Sequence, residues 1–450
     1  MMEVTLLEML EAREKRAQKQ QYLLERFSST IICFTMNIAG PVKKTESIVR
    51  AFHVGCEKIQ FHISEEQILY KEFIEEKTGC EAYYVVKKDA VSLKKICTAI
   101  EDESVLGRLF DMDVLDTNGM KLDRSTVNGK SRDCIVCGAV GRGCASRRLH
   151  SVAELQLATD KIIYEYFARE DSERIGAYAT QSLLEEVFTT PKPGLVDCNN
   201  SGSHDDMNIF TFIASATSLQ PYFVKCTRIG QNNQDLSYEE LFKELQKEGL
   251  LAEQKMYAST NGVNTHKGAI YLFGLLCGAI GRCWSVEKPI ASIESILDVN
   301  KKIAKVAMEE TYKRLEDNAT VKTTGEKLLK QNGISGVRGE AASGLLSVME
   351  IALPIYESLK MEGLEQNKAG YITLLHLISN VIDTNLYSRG GEEGAQYAME
   401  LVKNLLSDSP NPKSFEVEKI DQLYIEKNLS PGGCADLLAV TYFVNKLKNS

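Results

Sequence analysis

After residue 150 of this 450-residue chain the β-strand signal nearly vanishes, and that loss constrains the architecture more than any other feature. Before it, "STIICFTMNI" and "AYYVVKK" are β-branched and aromatic runs that read as strands. "EEQILYKEFIEEKTG", between them, has helical spacing and ends on a glycine, so a helix is expected there. Beyond it, "SVAELQLATDKIIYEYFARE", "IGAYATQSLLEEVFTT", "NIFTFIASATSLQPYF", "SYEELFKELQKEGLLAEQKMY", "SILDVNKKIAKVAMEETYKRL" and "GAQYAMELVKNLL" all carry helical periodicity. Strands confined to one end, followed by helices alone, imply a multidomain chain. The expectation is an α+β domain with a mixed sheet over residues 1–170, then an all-α helical domain over residues 171–450. No Pro- or Ser-rich linker and no internal repeat is visible, so the boundary falls inside or just after a helix.

Hydrophobic content of 44% and charged content of 26% are those of an ordinary globular protein. No segment approaches the apolar run of about 20 residues that a membrane span needs. The N-terminal "MMEVTLLEMLEAREKRAQKQQ" is an amphipathic, charged helix without the apolar centre of a signal peptide. The 12 cysteines follow no disulfide framework and suit reduced thiols, so a cytoplasmic location without membrane association is expected. A net charge of −9 argues against a general nucleic-acid binder. Cationic density is nonetheless concentrated, with seven Lys or Arg against two Asp between residues 121 and 150. An anionic partner must be held by such a local cluster.

"LGRLFDMDVLD" places Asp111 and Asp113 two apart. On a strand, alternate side chains share a face, so both carboxylates can reach one divalent ion. Carboxylates on Mg²⁺, with phosphate oxygens completing the shell, suit nucleotidyl transfer. Arg108 precedes the pair, and Arg124, Arg132, Arg142, Arg147 and Arg148 follow, able to neutralise a polyphosphate. Solvated acids at a strand end are the plainer reading of the same residues. A nucleotidyltransferase-like fold is an analogy only, because the upstream Gly-Ser of those enzymes is missing. "SRDCIVCGAVGRGCASRRLH" offers Cys134, Cys137, Cys144 and His150, a set that could ligate Zn²⁺ tetrahedrally. Its third and fourth ligands lie closer together than in most zinc fingers, and free cysteines also serve as small core residues.

In the helical part, polar and turn-forming residues concentrate at five helix entries. "EEVFTTPKPGLVDCNNSGSHDDM" holds Glu185, Glu186, Lys192, Asp197, His204, Asp205 and Asp206. "TNGVNTHKG" presents Asn264 or Thr265 as a cap, followed by His266 and Lys267, cations where the helix dipole favours acids. "GISGVRGEAASG" sets Arg338 and Glu340 among glycines, and "DTNLYSRGGEEG" supplies Asn385 and Arg389. "NLSPGGCADLLA" offers Ser430 as cap and Pro431 at the first helical position, leaving bare N–H groups for an anion. Each alone reads equally well as a cap or a core polar group. Together they suit a metal-bound, triphosphate-bearing substrate: carboxylates such as Asp205 and Asp206 for Mg²⁺, and Lys, Arg and helix N-termini for phosphates.

These motifs carry a resemblance. Through "TPKPGLVD", "SGSHDDM", "GVNTHKGAIY", "GVRGEA", "DTNLYSRGG" and "NLSPGGCADLLA", residues 175–445 resemble the triphosphoribosyl-dephospho-coenzyme A synthase family. Through "LLEMLEAREKRAQKQQ", "TMNIAGPVK", "GRLFDMDVLD" and "RDCIVCGAVGRGCASRRLHS", residues 3–155 resemble the citrate lyase holo-acyl-carrier-protein synthase family. The whole chain is similar to a natural fusion of the two. The resemblance implies that the helical domain takes ATP and 3′-dephospho-coenzyme A, expels adenine and joins the triphosphoribosyl group to the ribose 2′-hydroxyl. An oxocarbenium-like state then needs a carboxylate and a base. Glu185, Glu186, Asp205 and Asp206 are the candidates, and His204 or His266 could protonate adenine; which does which stays open. The first domain would transfer the product to a serine of the citrate lyase acyl-carrier subunit, releasing pyrophosphate, with Asp111 and Asp113 on Mg²⁺ and the arginines on the pyrophosphate. A zinc-ribbon RNA-binding protein carried on a helical domain is the competing class, supported by the basic segment and opposed by the acidic total.

Overall fold

The computed structural model describes residues 2–139, 141–316 and 324–450, excluding the side chains of Arg142, Ala145, Ser146, Glu316 and Thr324. The chain divides into two compact units, Met1–Ala168 and Arg169–Ser450.

The first unit runs α1 (Leu6–Phe27), β1 (Thr30–Met36), α2 (Glu46–His62), β2 (Ile68–Glu76), β3 (Gly79–Val86), α3 (Ala90–Glu103), β4 (Phe110–Leu115) and α4 (Gly141–Arg147). Its sheet has the order β2-β3-β1-β4, with every pairing antiparallel where a mixed sheet was expected. The segment expected to be helical around residue 70 is the edge strand β2. Tyr70, Glu72 and Ile74 are half-buried while Leu69, Lys71 and Phe73 are exposed. That period of two fits a strand covered on one face, and it overrides the helical spacing of the acids. One sheet face is sealed by Leu23 of α1 against Ile31, Cys33, Tyr83 and Val85. On the other, Phe52 of α2 stacks on Phe34 at 5.0 Å and Phe110 meets Phe34 edge-on at 5.2 Å. Gly55 is needed there, since a Cβ would lie 2.3 Å from the Phe34 ring.

The second unit is helical: α5 (Val152–Phe188), within which the division falls, α6 (Ile209–Asn232), α7 (Tyr238–Ser259), α8 (Lys267–Arg282), α9 (Ile293–Glu316), α10 (Thr324–Asn332) and α11 (Gly336–Ser343). A π-helical stretch, Ser347–Ala352, leads into α12 (Leu353–Met361), then α13 (Gln366–Asn380), α14 (Thr384–Asp408), α15 (Ser414–Glu426) and α16 (Gly432–Lys448). α8 is apolar almost all round and is buried from Ala269 to Gly281 except at Tyr271, as a helix surrounded by others must be. α6 and α8 touch backbone to backbone: a Cβ on Gly281 would lie 2.0 Å from the Thr227 carbonyl oxygen. Phe273 of α8 packs between Phe223 of α6 and Phe443 of α16, at 5.5 and 5.2 Å. This core fixes the start of α8 beside the starts of α11, α14 and α16. Among the described residues, no helix is long and apolar enough to cross a membrane.

Candidate functional sites

In the helical unit a cavity of about 570 Å³ is lined by the first residues of four helices: Lys267 and Gly268, Gly336 and Val337, Thr384 and Asn385, and Gly432 and Gly433. A helix start lacks intrahelical partners for its first N–H groups and carries roughly half a positive charge, so four of them make the space electropositive, although buried carboxylates take some of those N–H groups. Arg338 and Arg389 add full charges to the lining. Of the residues singled out from the sequence, Glu186, Lys192, His204, Asn264, His266, Lys267, Arg338, Asn385, Arg389 and Ser430 all line this cavity. A second cavity of about 510 Å³, lined more by apolar groups such as Tyr222, Phe242 and Leu245, shares Glu253, Lys267, Tyr271, Glu326 and Arg338 with the first.

The start of α8 differs from expectation. Its N-cap is His266, with no side-chain cap bond, rather than Asn264 or Thr265. Thr265 instead donates to Ser215 at 2.7 Å. A hydrogen-bond partner for the first turn comes from elsewhere: the Asp436 carboxyl on α16 accepts the Ala269 N–H. Gly268 makes room for it, since a Cβ there would meet Asp436 Oδ2 at 2.0 Å. Lys267 turns to Glu253 at 2.8 Å. Ser430 is likewise no cap, because α16 begins after Pro431; its hydroxyl lies 2.9 Å from His204 Nε2. Asp383, a residue not among the sequence candidates, accepts N–H bonds from Asn385 at 2.7 Å and Cys434 at 2.8 Å, so one buried carboxylate ties the starts of α14 and α16.

Burial sorts the titratable groups. It pushes the Asp436 carboxyl well up, helped by the nearby charges of Glu186 and Asp383. Both effects favour the protonated form of Asp436. Burial lowers His266 to about 3 and His204 to about 4, with Lys192 and Arg389 adding to the respective shifts. Both imidazoles are neutral near pH 7, so neither is a standing cationic acid for adenine. His266 Nδ1 is 2.7 Å from Ser215 Oγ, and its Nε2 is buried without a hydrogen-bond partner. His204 Nδ1 is 3.0 Å from the guanidinium of Arg389, which also donates to Ser203 O and Asn428 Oδ1. Glu186 and Lys192 form one buried ion pair at 2.5 Å, so Lys192 brings no free charge for phosphate. Arg338 reaches Glu326 at 3.4 Å, a buried carboxylate that also takes Arg314.

Glu185, Asp205 and Asp206, among the carboxylates proposed for the chemistry, stand apart from the cavity lining. Successive residues on a helix point about 100° apart. Glu186 faces inward, whereas Glu185 binds Lys446 through both oxygens at 2.7 and 2.8 Å. Asp205 and Asp206 are exposed and outside the lining set, although the charge of Asp206 reaches both His204 and Arg389. A lone acid in the apolar run "CADLLAVTYFV" was the sequence signal for Asp436.

In the first unit, Asp111 and Asp113 share a face of β4, opposite Thr35 and Cys33 of β1. Partial burial raises the Asp111 carboxyl and the charge of Asp113 raises it further. Lys121 holds Asp113 at 2.5 Å. Behind them stands buried Glu101, a residue without a motif: it accepts the Met112 N–H at 2.9 Å and binds Arg132 at 2.6 Å. Arg132 also donates to Phe110 O, and Arg124 reaches Asp102 at 2.5 Å, so both spend their charge on holding the segment after β4. Arg108 donates to Asp133 O. Arg147 and Arg148 are exposed, and the side chain of Arg142 lies outside the described residues. Cys134, Cys137, Cys144 and His150 converge, with their ligand atoms within 4.8 Å of one another.

Residues 172–450 match the family of ATP:dephospho-CoA triphosphoribosyl transferases, and residues 4–166 match the family of apo-citrate lyase phosphoribosyl-dephospho-CoA transferases. The chain is 35% identical to a Haemophilus influenzae protein named CitXG, over 98% of this chain and 96% of that one. It is 32% identical to the CitXG protein of Leuconostoc mesenteroides subsp. cremoris, over 99% and 98%. A 2-(5''-triphosphoribosyl)-3'-dephosphocoenzyme-A synthase of Haemophilus ducreyi is 34% identical over 68% of this chain and 98% of its own.

Proposed function

The chain belongs to the ATP:dephospho-CoA triphosphoribosyl transferase family, joined to an apo-citrate lyase phosphoribosyl-dephospho-CoA transferase region as in the CitXG proteins, and from that premise we propose how its two units divide the work. Residues 171–450 make 2'-(5''-triphosphoribosyl)-3'-dephospho-CoA from ATP and 3'-dephospho-CoA. The bond from the ribose C1 to adenine breaks, the 2'-hydroxyl oxygen of dephospho-CoA bonds to that carbon, and the hydroxyl proton is balanced by the one adenine gains. Residues 1–170 then transfer the group to a serine of the citrate lyase acyl-carrier subunit. The serine oxygen displaces pyrophosphate from the phosphorus nearest the ribose.

The observation that carries the first step is the convergence of four helix starts with Arg338 and Arg389 on one cavity. Those groups bind and orient the triphosphate, holding the ribose carbon beside Glu186 and Asp436. Asp436, whose carboxyl is pushed well above the usual range, is the candidate donor to departing adenine. Glu186, gripped by Lys192, is the candidate carboxylate for the positive charge at the ribose carbon, and neutral His204 or His266 the candidate base at the 2'-hydroxyl. The adjoining, more apolar cavity suits the remainder of dephospho-CoA.

For the second step, Asp111 and Asp113 fit Mg²⁺: two carboxylates on one strand face repel one another, and a divalent cation would relieve that repulsion. When bound, Mg²⁺ would neutralise phosphate charge there. Lys121 steadies Asp113, while exposed Arg147 and Arg148 can meet the leaving pyrophosphate. Asp205 and Asp206 are candidate ligands for a Mg²⁺ that accompanies ATP. We place the enzyme in the cytoplasm, in keeping with its 12 free cysteines. Full-length likeness to the CitXG proteins favours this reading over an RNA-binding chain. The test is incubation with ATP, dephospho-CoA and Mg²⁺: free adenine supports it, and intact ATP overturns it.

A further inference from the structure

We propose that Cys134, Cys137, Cys144 and His150 form a structural Zn²⁺ site that folds the arginine-bearing segment between β4 and α5. Such a site is independent of the two transfer activities. The four ligand atoms lie within 4.8 Å of one another. Cys137 and Cys144 sulfurs are 3.5 Å apart, and His150 Nε2 is 3.3 Å from the Cys137 sulfur. Sulfurs sharing a tetrahedral zinc at about 2.3 Å stand about 3.8 Å apart, so small outward shifts admit the ion. A disulfide needs about 2.05 Å, and all three cysteines are free thiols here.

The backbone is arranged for the same purpose. Cys134-Ile135-Val136-Cys137-Gly138 makes a tight turn closed by bonds from Cys134 N to Ala139 O at 2.6 Å and from Gly138 N to Cys134 O at 2.9 Å. Gly138 has φ +71°, a conformation that few side chains tolerate. The N–H groups of Val136 and Cys137 both point at the Cys134 sulfur, donors that a metal-bound thiolate accepts. A further bond, Gly141 N to Arg132 O at 3.0 Å, brings α4 and its Cys144 back over the turn, and His150 follows directly. Four protein ligands leave no open position, so the site is structural rather than catalytic.

A second observation says why an ion is needed. Among the described side chains from residue 116 to 150, Cys144 is the only buried one. With so little burial among its described side chains, a segment of that length gains little to offset chain entropy. Zinc binding supplies that free energy in small metal-held modules.

The experiment uses the full chain, purified under reducing conditions from zinc-supplemented culture, with metals measured by mass spectrometry. About one zinc per chain is expected. Cys134→Ser/Cys137→Ser should retain at least tenfold less, whereas Cys198→Ser, an exposed cysteine of the helical unit, should retain it all. Cobalt in place of zinc should give the visible absorption of a tetrahedral thiolate site. Stripping the metal should open new protease cuts between residues 116 and 150 with the helical unit left intact. Metal-free protein that takes up neither zinc nor cobalt, undiminished zinc in the double variant, or a Cys137–Cys144 disulfide in anaerobically isolated protein would each overturn the proposal.

Discussion

Lys267 sits at a helix start where its charge opposes the dipole, and Glu253 at 2.8 Å only partly offsets that. Both side chains are substantially solvated, so the pair is worth at most ~1 kcal/mol. Lys267→Ala should therefore change the stability of the empty protein by less than ~1 kcal/mol, yet weaken ATP binding at least about tenfold, ~1.4 kcal/mol. Calorimetric titration beside a thermal melt checks both; a large melting loss with unchanged affinity would make Lys267 a packing residue. His266 offers a different test. The unfolded chain takes up its proton near pH 6.5 and the folded chain only near 3. Stability from this group is thus complete above about pH 6.5 and is lost as the pH falls toward 3, at ~1.4 kcal/mol per unit. Urea unfolding at about pH 5.5 and 4.5 should show the parent losing stability more steeply than His266→Gln, by roughly that slope. Equal slopes would mean that the ring is protonated in the fold. At Asp436 the raised carboxyl predicts that Asp436→Asn cuts adenine release by about 10²-fold or more at unchanged fold, the scale of a lost general acid. An unaltered rate would remove it from the reaction.

Helix starts explain which parts of the site were readable. The five polar entries were visible as short motifs because Gly, Asn, Ser and Pro mark helix starts wherever they lie. What they converge on was not, since α8 is flanked by α16, whose Asp436 lies far away in sequence. Local capping rules name Asn264, Thr265 and Ser430 as caps; the structure instead starts α8 at His266, whose side chain makes no cap bond, and sends Thr265 and Ser430 to side-chain partners. Glu185 and Glu186 were indistinguishable until the rotation of α5 turned one inward and gave the other to Lys446. β2 departs from the expected helix because its acids repeat at helical spacing while burial follows the alternation of Tyr70, Glu72 and Ile74. A prediction belongs to the α8–α16 contact. Gly268→Ala would set a Cβ 2.0 Å from Asp436 Oδ2 and push the carboxyl off the Ala269 N–H. Although alanine favours helix by up to ~1 kcal/mol over glycine, this variant should be destabilised and should lose adenine release. A more stable, fully active variant would show that Asp436 has no fixed place there.

Across the whole molecule, the disappearance of strand signals after residue 150 was enough to read an α+β unit followed by a helical one, because strand and helix periodicities are local. Buried carboxylates such as Glu101 and Asp383 were not readable, since their partners are set by tertiary packing. Two units holding two separate groups of candidate residues predict two separable activities. The sharpest measurement supplies the full chain with ATP, dephospho-CoA, Mg²⁺ and the apo acyl-carrier subunit, and follows free adenine and carrier mass together. The parent should release one adenine for each triphosphoribosyl-dephospho-CoA it makes and then add the phosphoribosyl-dephospho-CoA mass to the carrier. Asp111→Asn/Asp113→Asn should keep releasing adenine while carrier modification falls at least about a hundredfold, the scale of a lost charge-stabilising site. Loss of both products in that variant, or modification at the parental rate, would contradict the division of labour.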